Sequence, residues 1–201
     1  MPTNTPTVVA PSILTPARAV RRSAAVSVAS VLGALILVTL AAKVAVPVPG
    51  TDVPMTLQLL AVLVIGLSLS PTHSVAALSA YLVLGSAGLP VFSPWSTGLW
   101  GPTGGYLVGF IPAAWLMGIL CGRGNSGAWR MLVAGAAGIA LVFVCGVGWR
   151  IAWLAGDWRM AFQTGLIPFA VKATLELCLA VTLVMTVRRW RERRSRTSVS
   201  E

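Results

Sequence analysis

The chain has 201 residues, of which 56% are hydrophobic and only 10% are charged, and its mean hydropathy is +0.84. Because soluble domains carry about 25% charged residues, this composition excludes an ordinary soluble domain and predicts a single polytopic membrane domain. The net charge of +10 is typical of nucleic-acid-binding proteins, but the basic residues cluster at the ends of apolar segments, as membrane topology requires. We therefore expect a lipid bilayer and no nucleic acid as partner.

The N-terminal residues 1–20 are rich in proline, threonine and alanine and predict a disordered tail. The first apolar segment follows at 24–46. Within it Ala25, Ala29 and Gly33 are spaced four apart, so they form a ridge of small side chains along one face of a helix. Such a ridge lets a second membrane helix approach closely. It predicts either packing inside the protein's own helix bundle or docking onto a separate subunit.

The next apolar segments are short and are joined by a tight turn. Residues 57–69 would form about 20 Å of helix, less than the roughly 30 Å of the hydrocarbon core, and residues 74–89 follow directly. Thr56 and Gln58 lie at the mouth of the first segment and are candidate ligand contacts. The alternative is that Thr56 caps the helix and Gln58 is solvated. The short segments suggest that outer backbone enters the membrane and lines a pocket.

No pattern of catalytic or metal-binding residues is visible. His73, the only histidine, lies at the turn between the two short segments, where a capping or topological role is expected. The cysteines Cys121, Cys145 and Cys178 occur singly in apolar sequence and predict packing residues. An intramembrane hydrolase would need a nucleophile with a base, or clustered metal ligands. We therefore expect no catalytic residues, no metal and no enzymatic activity.

The stretch 84–110 begins and ends as apolar membrane-type sequence, but its middle predicts neither a helix nor a lipid-facing strand. It holds three prolines, and six glycines lie between Gly85 and Gly105. Since lipid cannot satisfy irregular backbone, this segment must lie in water or line a cavity. Trp95 and Trp100 within it suit a wet interface. The stretch predicts an external loop folded over a binding site.

Three further segments, 104–121, 129–149 and 161–187, complete a predicted all-α fold of six transmembrane helices with a ligand pocket roofed by external loops. Residues 122–127 formally match G-x-G-x-x-G, but they follow an apolar helix and predict a turn. Residues 150–159 predict a short loop.

The membrane domain spans 21–188, and a basic tail follows at 189–201. The distribution of arginines predicts a multi-pass protein of the cell membrane with both termini in the cytoplasm.

Four motifs in this order resemble those of the BioY family: Val53-Pro-Met-Thr-Leu-Gln58, Tyr81-Leu-Val-Leu-Gly85, Gly88-Leu-Pro-Val-Phe92 and Gly101-Pro-Thr-Gly-Gly-Tyr106. Members of that family are the biotin-binding substrate-capture (S) components of energy-coupling-factor (ECF) transporters. The resemblance covers residues 24–187. It implies six helices and high-affinity capture of biotin on the external side.

The resemblance also implies partner proteins. Similar proteins work with a transmembrane coupling (T) subunit and a pair of cytoplasmic ABC-type ATPases, so ATP hydrolysis is expected in those partners and no cofactor in this chain. The family carries a small-residue motif on its first helix for docking the coupling subunit, and Ala25, Ala29 and Gly33 match it.

One departure from the family pattern concerns the last helix. The family bears an Asp three residues before a Lys in the ligand site; here Lys172 is present, but Phe169 stands where the Asp is expected. Glu176, one helical turn after Lys172, is a candidate for the missing acid. The alternative is a self-satisfied Lys172–Glu176 ion pair that only neutralises two buried charges.

Biotin has a ureido ring, an apolar thiophane ring and a carboxylate, and a site for it needs an apolar slot with a few polar contacts. Aromatic residues are expected to form the slot, polar side chains to bind the ureido group and carboxylate, and the backbone amides of Gly101–Gly105 to meet an oxyanion. The predicted ligand contacts are Thr56, Gln58, Tyr81, Phe92, Trp95, Gly104, Tyr106, Lys172 and Glu176. Alternatives are an S component for riboflavin or thiamine, an intramembrane enzyme, and a structural protein without ligand.

Overall fold

The computed structural model describes residues 16–122 and 126–197. Most of the predicted N-terminal tail, residues 123–125 of the predicted turn and the last four residues lie outside these ranges. The first helix already begins at Pro16 and the last continues to Thr197, so residues 16–20 and 189–197, which the sequence assigned to tails, belong to helices.

The described residues form an all-α membrane fold, as predicted. In chain order the helices are α1 (Pro16–Lys43), α2 (Gln58–Ser68), α3 (Pro71–Ser86), α4 (Gly104–Cys121), α5 (Ala128–Trp153), α6 (Trp158–Gly165) and α7 (Ile167–Thr197). Four segments are long and apolar enough to cross a membrane: 24–43, 104–121, 128–153 and 158–194. Because α2 has 11 residues and α3 has 16, the predicted number of six spans stays a prediction.

The last apolar region differs from the single segment predicted at 161–187. The structure divides it at Leu166 into α6 and α7. Pro168 is the second residue of α7, where its missing N–H needs no partner; further inside a continuous helix its ring would clash with the carbonyl of Thr164. Asp157 caps α6 by accepting a hydrogen bond from the Met160 N–H at 2.9 Å. The helix therefore restarts at Ile167, five residues before Lys172.

Glycines bring α4 and α5 into close contact. A Cβ atom at Gly105 would collide with the Trp149 side chain and the Cys145 carbonyl oxygen, and one at Gly109 would lie 2.9 Å from the Cys145 Cβ. This is the close backbone approach that small residues allow in membrane helices. The α4–α5 pair forms one wall of the bundle, and α2 lies in its centre, with Val62, Leu63 and other residues fully buried.

The two ends of the bundle are held by different contacts. At one end the first loop (residues 44–57) contains a short antiparallel pair, β1 (Ala45–Val46) and β2 (Met55–Thr56). There the Lys43 ammonium donates to the carbonyls of Pro90 and Phe92 at 2.5 and 2.8 Å, which joins α1 to the central loop (residues 87–103). At the other, arginine-rich end, Arg188 donates to the Leu67 carbonyl at 2.8 Å.

The turn between α2 and α3 lies at this arginine-rich end. Ser70 is the N-cap of α3: its hydroxyl oxygen accepts from the His73 N–H at 3.4 Å and lies 2.6 Å from the His73 Nδ1. The single histidine thus takes part in a helix cap, as its position in the turn predicted.

Candidate ligand-binding site

A cavity opens at the loop end of the bundle, below the first and central loops. It is partly enclosed by the bundle and partly open to solvent. The wall consists of Val53, Pro54, Thr56, Gln58, Leu59, Phe92, Ser93, Ser96, Thr103, Tyr106, Leu107, Phe110, Val142, Phe143, Phe169 and Lys172.

Aromatic rings from several elements make the apolar part of this wall. Phe92 comes from the central loop, Tyr106 from α4, Phe143 from α5 and Phe169 from the start of α7. The Phe92 ring packs over Gly85, where a Cβ atom would collide with it. The Tyr106 ring contacts Phe143 edge to face, with 6.4 Å between centroids. Rings arranged in this way leave a slot that can take an apolar ring system.

A hydrogen-bonded chain of polar groups crosses the cavity floor. The Thr56 hydroxyl donates to the Gln58 Oε1 at 3.0 Å, and the Gln58 Nε2 donates to the Tyr81 hydroxyl at 2.7 Å. Gln58 is only 6% exposed, so the alternative of a solvated glutamine is wrong. Its amide keeps one N–H and one lone pair free of these two bonds, and both can serve a ligand.

Lys172 is the cation on the cavity wall. Its ammonium lies 2.6 Å from the Glu176 Oε1, so the i,i+4 ion pair considered from the sequence does form. Glu176 is 5% exposed and does not line the cavity. The carboxylate therefore neutralises Lys172 from behind, while the ammonium keeps further N–H groups for a ligand in front of it.

The nine predicted contact residues are not all on the wall. The structure brings five of them together there: Thr56, Gln58, Phe92, Tyr106 and Lys172. The other four, Tyr81, Trp95, Gly104 and Glu176, lie elsewhere.

Tyr81 is buried beneath Phe92, at 5.2 Å between ring centroids. Trp95 is 58% exposed on the central loop. Gly104 is buried against Leu99 and Trp149, and its N–H donates to the Gly101 carbonyl at 3.1 Å. This amide, which was a candidate donor to an oxyanion, is therefore occupied within the loop. Direct ligand contact by these residues stays a prediction.

Sequence reasoning missed the part of the wall contributed by α5. Val142 and Phe143 lie in an apolar run with no polar residue or motif beside them, so no local signal marked them. Phe169 was noted only as a departure from an expected Asp, yet its side chain lines the cavity. Ser96 and Thr103 were also missed; their hydroxyls are 2.8 Å apart and close the central loop over the cavity.

Comparison with known proteins decides the family. The model of the BioY family matches residues 14–193 of this chain. The chain belongs to the BioY family. Among BioY proteins, "Biotin transporter BioY" of Thermotoga maritima is 33% identical over 147 residues, which are 72% of this chain and 86% of the relative. "Biotin transporter BioY2" of Lactococcus lactis subsp. cremoris is 33% identical over 164 residues, 76% of this chain and 86% of the relative.

The fold agrees with that of a solved structure. A crystal structure described as the S-component for biotin from an ECF-type ABC transporter superposes with a TM-score of 0.70, covering 87% of this chain and 95% of the other at 20% identity. In our structure the BioY-like motifs meet at one place: Val53, Gln58, Phe92 and Tyr106 all line the cavity. Tyr81, from the remaining motif, supports Gln58 and Phe92 from below.

Proposed function

We propose that this chain captures biotin at the loop end of the bundle and serves biotin uptake as the S component of an ECF-type transporter. The observation that carries the proposal is that three of the four BioY-like motifs contribute to the wall of one cavity, while Tyr81 of the fourth supports Gln58 and Phe92 from behind. The slot between the aromatic rings suits the thiophane ring and the aliphatic tail. Gln58, Thr56 and Lys172 supply donors and acceptors for the ureido group and the carboxylate.

The partners are a membrane coupling subunit and ABC-type ATPases. One side of α1 supports the docking of a coupling subunit; it carries Ala25, Ala29 and Gly33. All three residues are exposed, and no atom lies within 4 Å of a Cβ built at Gly33. The ridge therefore packs against no other described helix of this chain. Small residues left free in this way permit another membrane helix to dock. ATP binding is assigned to the partners, and this chain needs no cofactor.

In the proposed orientation in the membrane, the cavity faces the outside of the cell and both termini lie in the cytoplasm. The arginines from Arg188 onward lie at the end of α7, opposite the cavity end that holds Lys43 and Lys172. Positive residues accumulate on the cytoplasmic side of membrane proteins. A cavity at the opposite end then receives its ligand from outside the cell.

Thermal unfolding of the purified protein with three vitamins tests the assignment of the ligand. Biotin should raise the unfolding temperature, because a ligand that binds only the folded state stabilises it by about 2.7 kcal/mol at 100 times its Kd. Riboflavin and thiamine should have no effect at the same concentrations. Equal stabilisation by all three, or no effect of biotin at saturation, would contradict the proposal.

A further inference from the structure

Lys43, the last residue of α1, holds the central loop without lining the cavity itself. Its ammonium donates to the carbonyls of Pro90 and Phe92 at 2.5 and 2.8 Å. An ammonium has three N–H groups, so two of them bridge these carbonyls while the side chain stays exposed to solvent. One cation thus fixes the loop backbone on both sides of Val91.

The segment that Lys43 holds is part of the cavity wall. Phe92, Ser93 and Ser96 line the cavity, and Ser93 is only 4% exposed. The Phe92 ring also packs edge to face on Tyr81. A movement of the backbone at Phe92 therefore changes the wall of the cavity.

The other hydrogen bonds of residues 90–96 within the described structure are local. The Ser96 N–H donates to the Ser93 carbonyl at 3.0 Å, and the Ser96 hydroxyl lies 2.8 Å from that of Thr103, just before α4. These bonds shape the loop, but they do not join it to a helix distant in sequence. The bonds from Lys43 do so across 47 and 49 residues.

The same end of α1 also holds the first loop. The Leu57 N–H donates to the Val44 carbonyl at 3.2 Å. In the short antiparallel pair, Ala45 lies opposite Thr56, which belongs to the cavity wall. Lys43 therefore extends from a backbone that is itself fixed beside the cavity, and it can hold the central loop in a defined position.

We propose that Lys43 is a positioning residue for ligand retention: by holding Pro90 and Phe92, it keeps the central loop closed over the bound ligand and slows its release. This inference rests on the proposed function, which supplies biotin as the ligand. A ligand below a closed loop leaves only when the loop moves. Without the two hydrogen bonds the closed loop is less favoured and opens more often, so the change is expected in the dissociation rate.

Release of labelled biotin from the purified full-length protein tests this role. The protein is loaded with radiolabelled biotin in detergent and chased with excess unlabelled biotin, and the association rate is measured separately. Lys43→Met keeps an unbranched side chain of similar length but has no donor. It should release biotin at least about tenfold faster than the parent, because hydrogen bonds from a charged donor are lost. Its association rate should not fall.

Two further variants serve as controls. Lys43→Arg retains a cation with several N–H donors and should release biotin at a rate close to that of the parent. Arg159→Met removes a positive charge near the cavity end of the bundle, from an exposed side chain that lies over Trp158 and does not line the cavity. It should release biotin like the parent, which separates the hydrogen bonds of Lys43 from a general electrostatic attraction of the ligand.

If Lys43→Met does not fold, Lys43→Gln is judged by the same criteria. A dissociation rate equal to that of the parent would overturn the role of Lys43, even if the unfolding temperature of the ligand-free variant falls, because Lys43 would then stabilise only the fold. Release from Lys43→Arg or Arg159→Met as fast as from Lys43→Met would overturn it as well. Failure of the parent to bind biotin would instead overturn the proposed function.

Discussion

At the scale of single residues, Lys172 and Glu176 illustrate how one pair can serve stability and binding together. Lys172 is half-buried at the cavity wall, and its ammonium is held by a carboxylate that has almost no exposure. The pair neutralises two charges inside a membrane helix, where an isolated charge would be unfavourable. It also fixes the ammonium in one position, which lowers the entropy lost when a ligand binds.

Replacement of Lys172 tests its role as a ligand donor. Lys172→Met should weaken biotin binding by about 2–4 kcal/mol, because it leaves polar groups of the ligand unpaired; this is roughly a 30- to 900-fold rise in Kd. Glu176→Gln keeps the shape of this side chain and leaves the Lys172 ammonium present, so a smaller loss of biotin affinity, about tenfold, is expected. Calorimetric titration measures both, and circular dichroism checks folding. If both variants bind biotin like the parent, Lys172 and Glu176 do not belong to the site.

At the scale of helices, the contact between α4 and α5 depends on glycine. A Cβ atom at Gly105 would meet backbone as well as side-chain atoms of α5, and backbone cannot move aside cheaply. Gly148 on α5 offers a matched control, because no atom lies within 4 Å of a Cβ built there.

Gly105→Ala should therefore destabilise the protein by about 1–3 kcal/mol through overpacking, and it should also disturb the cavity wall at Tyr106. Gly148→Ala should be neutral or slightly stabilising, since alanine favours helix by up to about 1 kcal/mol over glycine. Unfolding midpoints in the same detergent compare the two variants. Equal midpoints would mean that the α4–α5 contact relaxes without cost.

The exposed ridge on α1 leads to a prediction about assembly. Ala29→Leu places a large side chain on the ridge and should cost about 1–3 kcal/mol of association with a coupling subunit. Biotin binding by the isolated protein should be unchanged, because the ridge faces away from the cavity and contacts no other described helix. ATP-driven biotin uptake should fall.

Ala24→Leu is the control for this experiment. It makes the same change one residue away, outside the stripe of residues 25, 29 and 33, and it should leave uptake intact. Co-purification with the coupling subunit and uptake assays would report both variants. Full uptake by Ala29→Leu would show that the ridge does not dock a partner.

At the scale of the whole molecule, the cavity and the arginine-rich end of α7 lie at opposite ends of the bundle. Trp100 at the cavity end is 77% exposed, and Trp190 near the other end is 58% exposed. The side of the membrane on which each of these two residues lies can be measured in a variant whose three native cysteines are replaced by alanine. A membrane-impermeant maleimide should label Trp100→Cys in intact cells and Trp190→Cys only after permeabilisation. The reverse pattern would contradict the proposed orientation.

Sequence periodicity and composition were sufficient for the class of fold and for the two loops rich in proline and glycine, but not for the predicted loop at 150–159. Apolar segments identify membrane helices because lipid requires every backbone group to be satisfied within the segment. The middle of the stretch 84–110 was expected in water or along a cavity for the same reason, and the structure has a loop there at residues 87–103, between α3 and α4. These are local requirements, and a single sequence displays them. The four motifs likewise pointed to the family to which the chain belongs.

The composition of the cavity wall was decided by the tertiary structure. Phe143 and Val142 look like any lipid-facing residues in the sequence, and only the packing of α4 against α5 turns them to the cavity. Arg150 was assigned to a loop, but α5 continues to Trp153 and buries it beside Tyr106. Trp95 has the chemistry of a binding residue, yet the course of the central loop leaves it exposed. Which face of a helix meets a cavity depends on contacts between residues distant in sequence, and local pattern does not encode them.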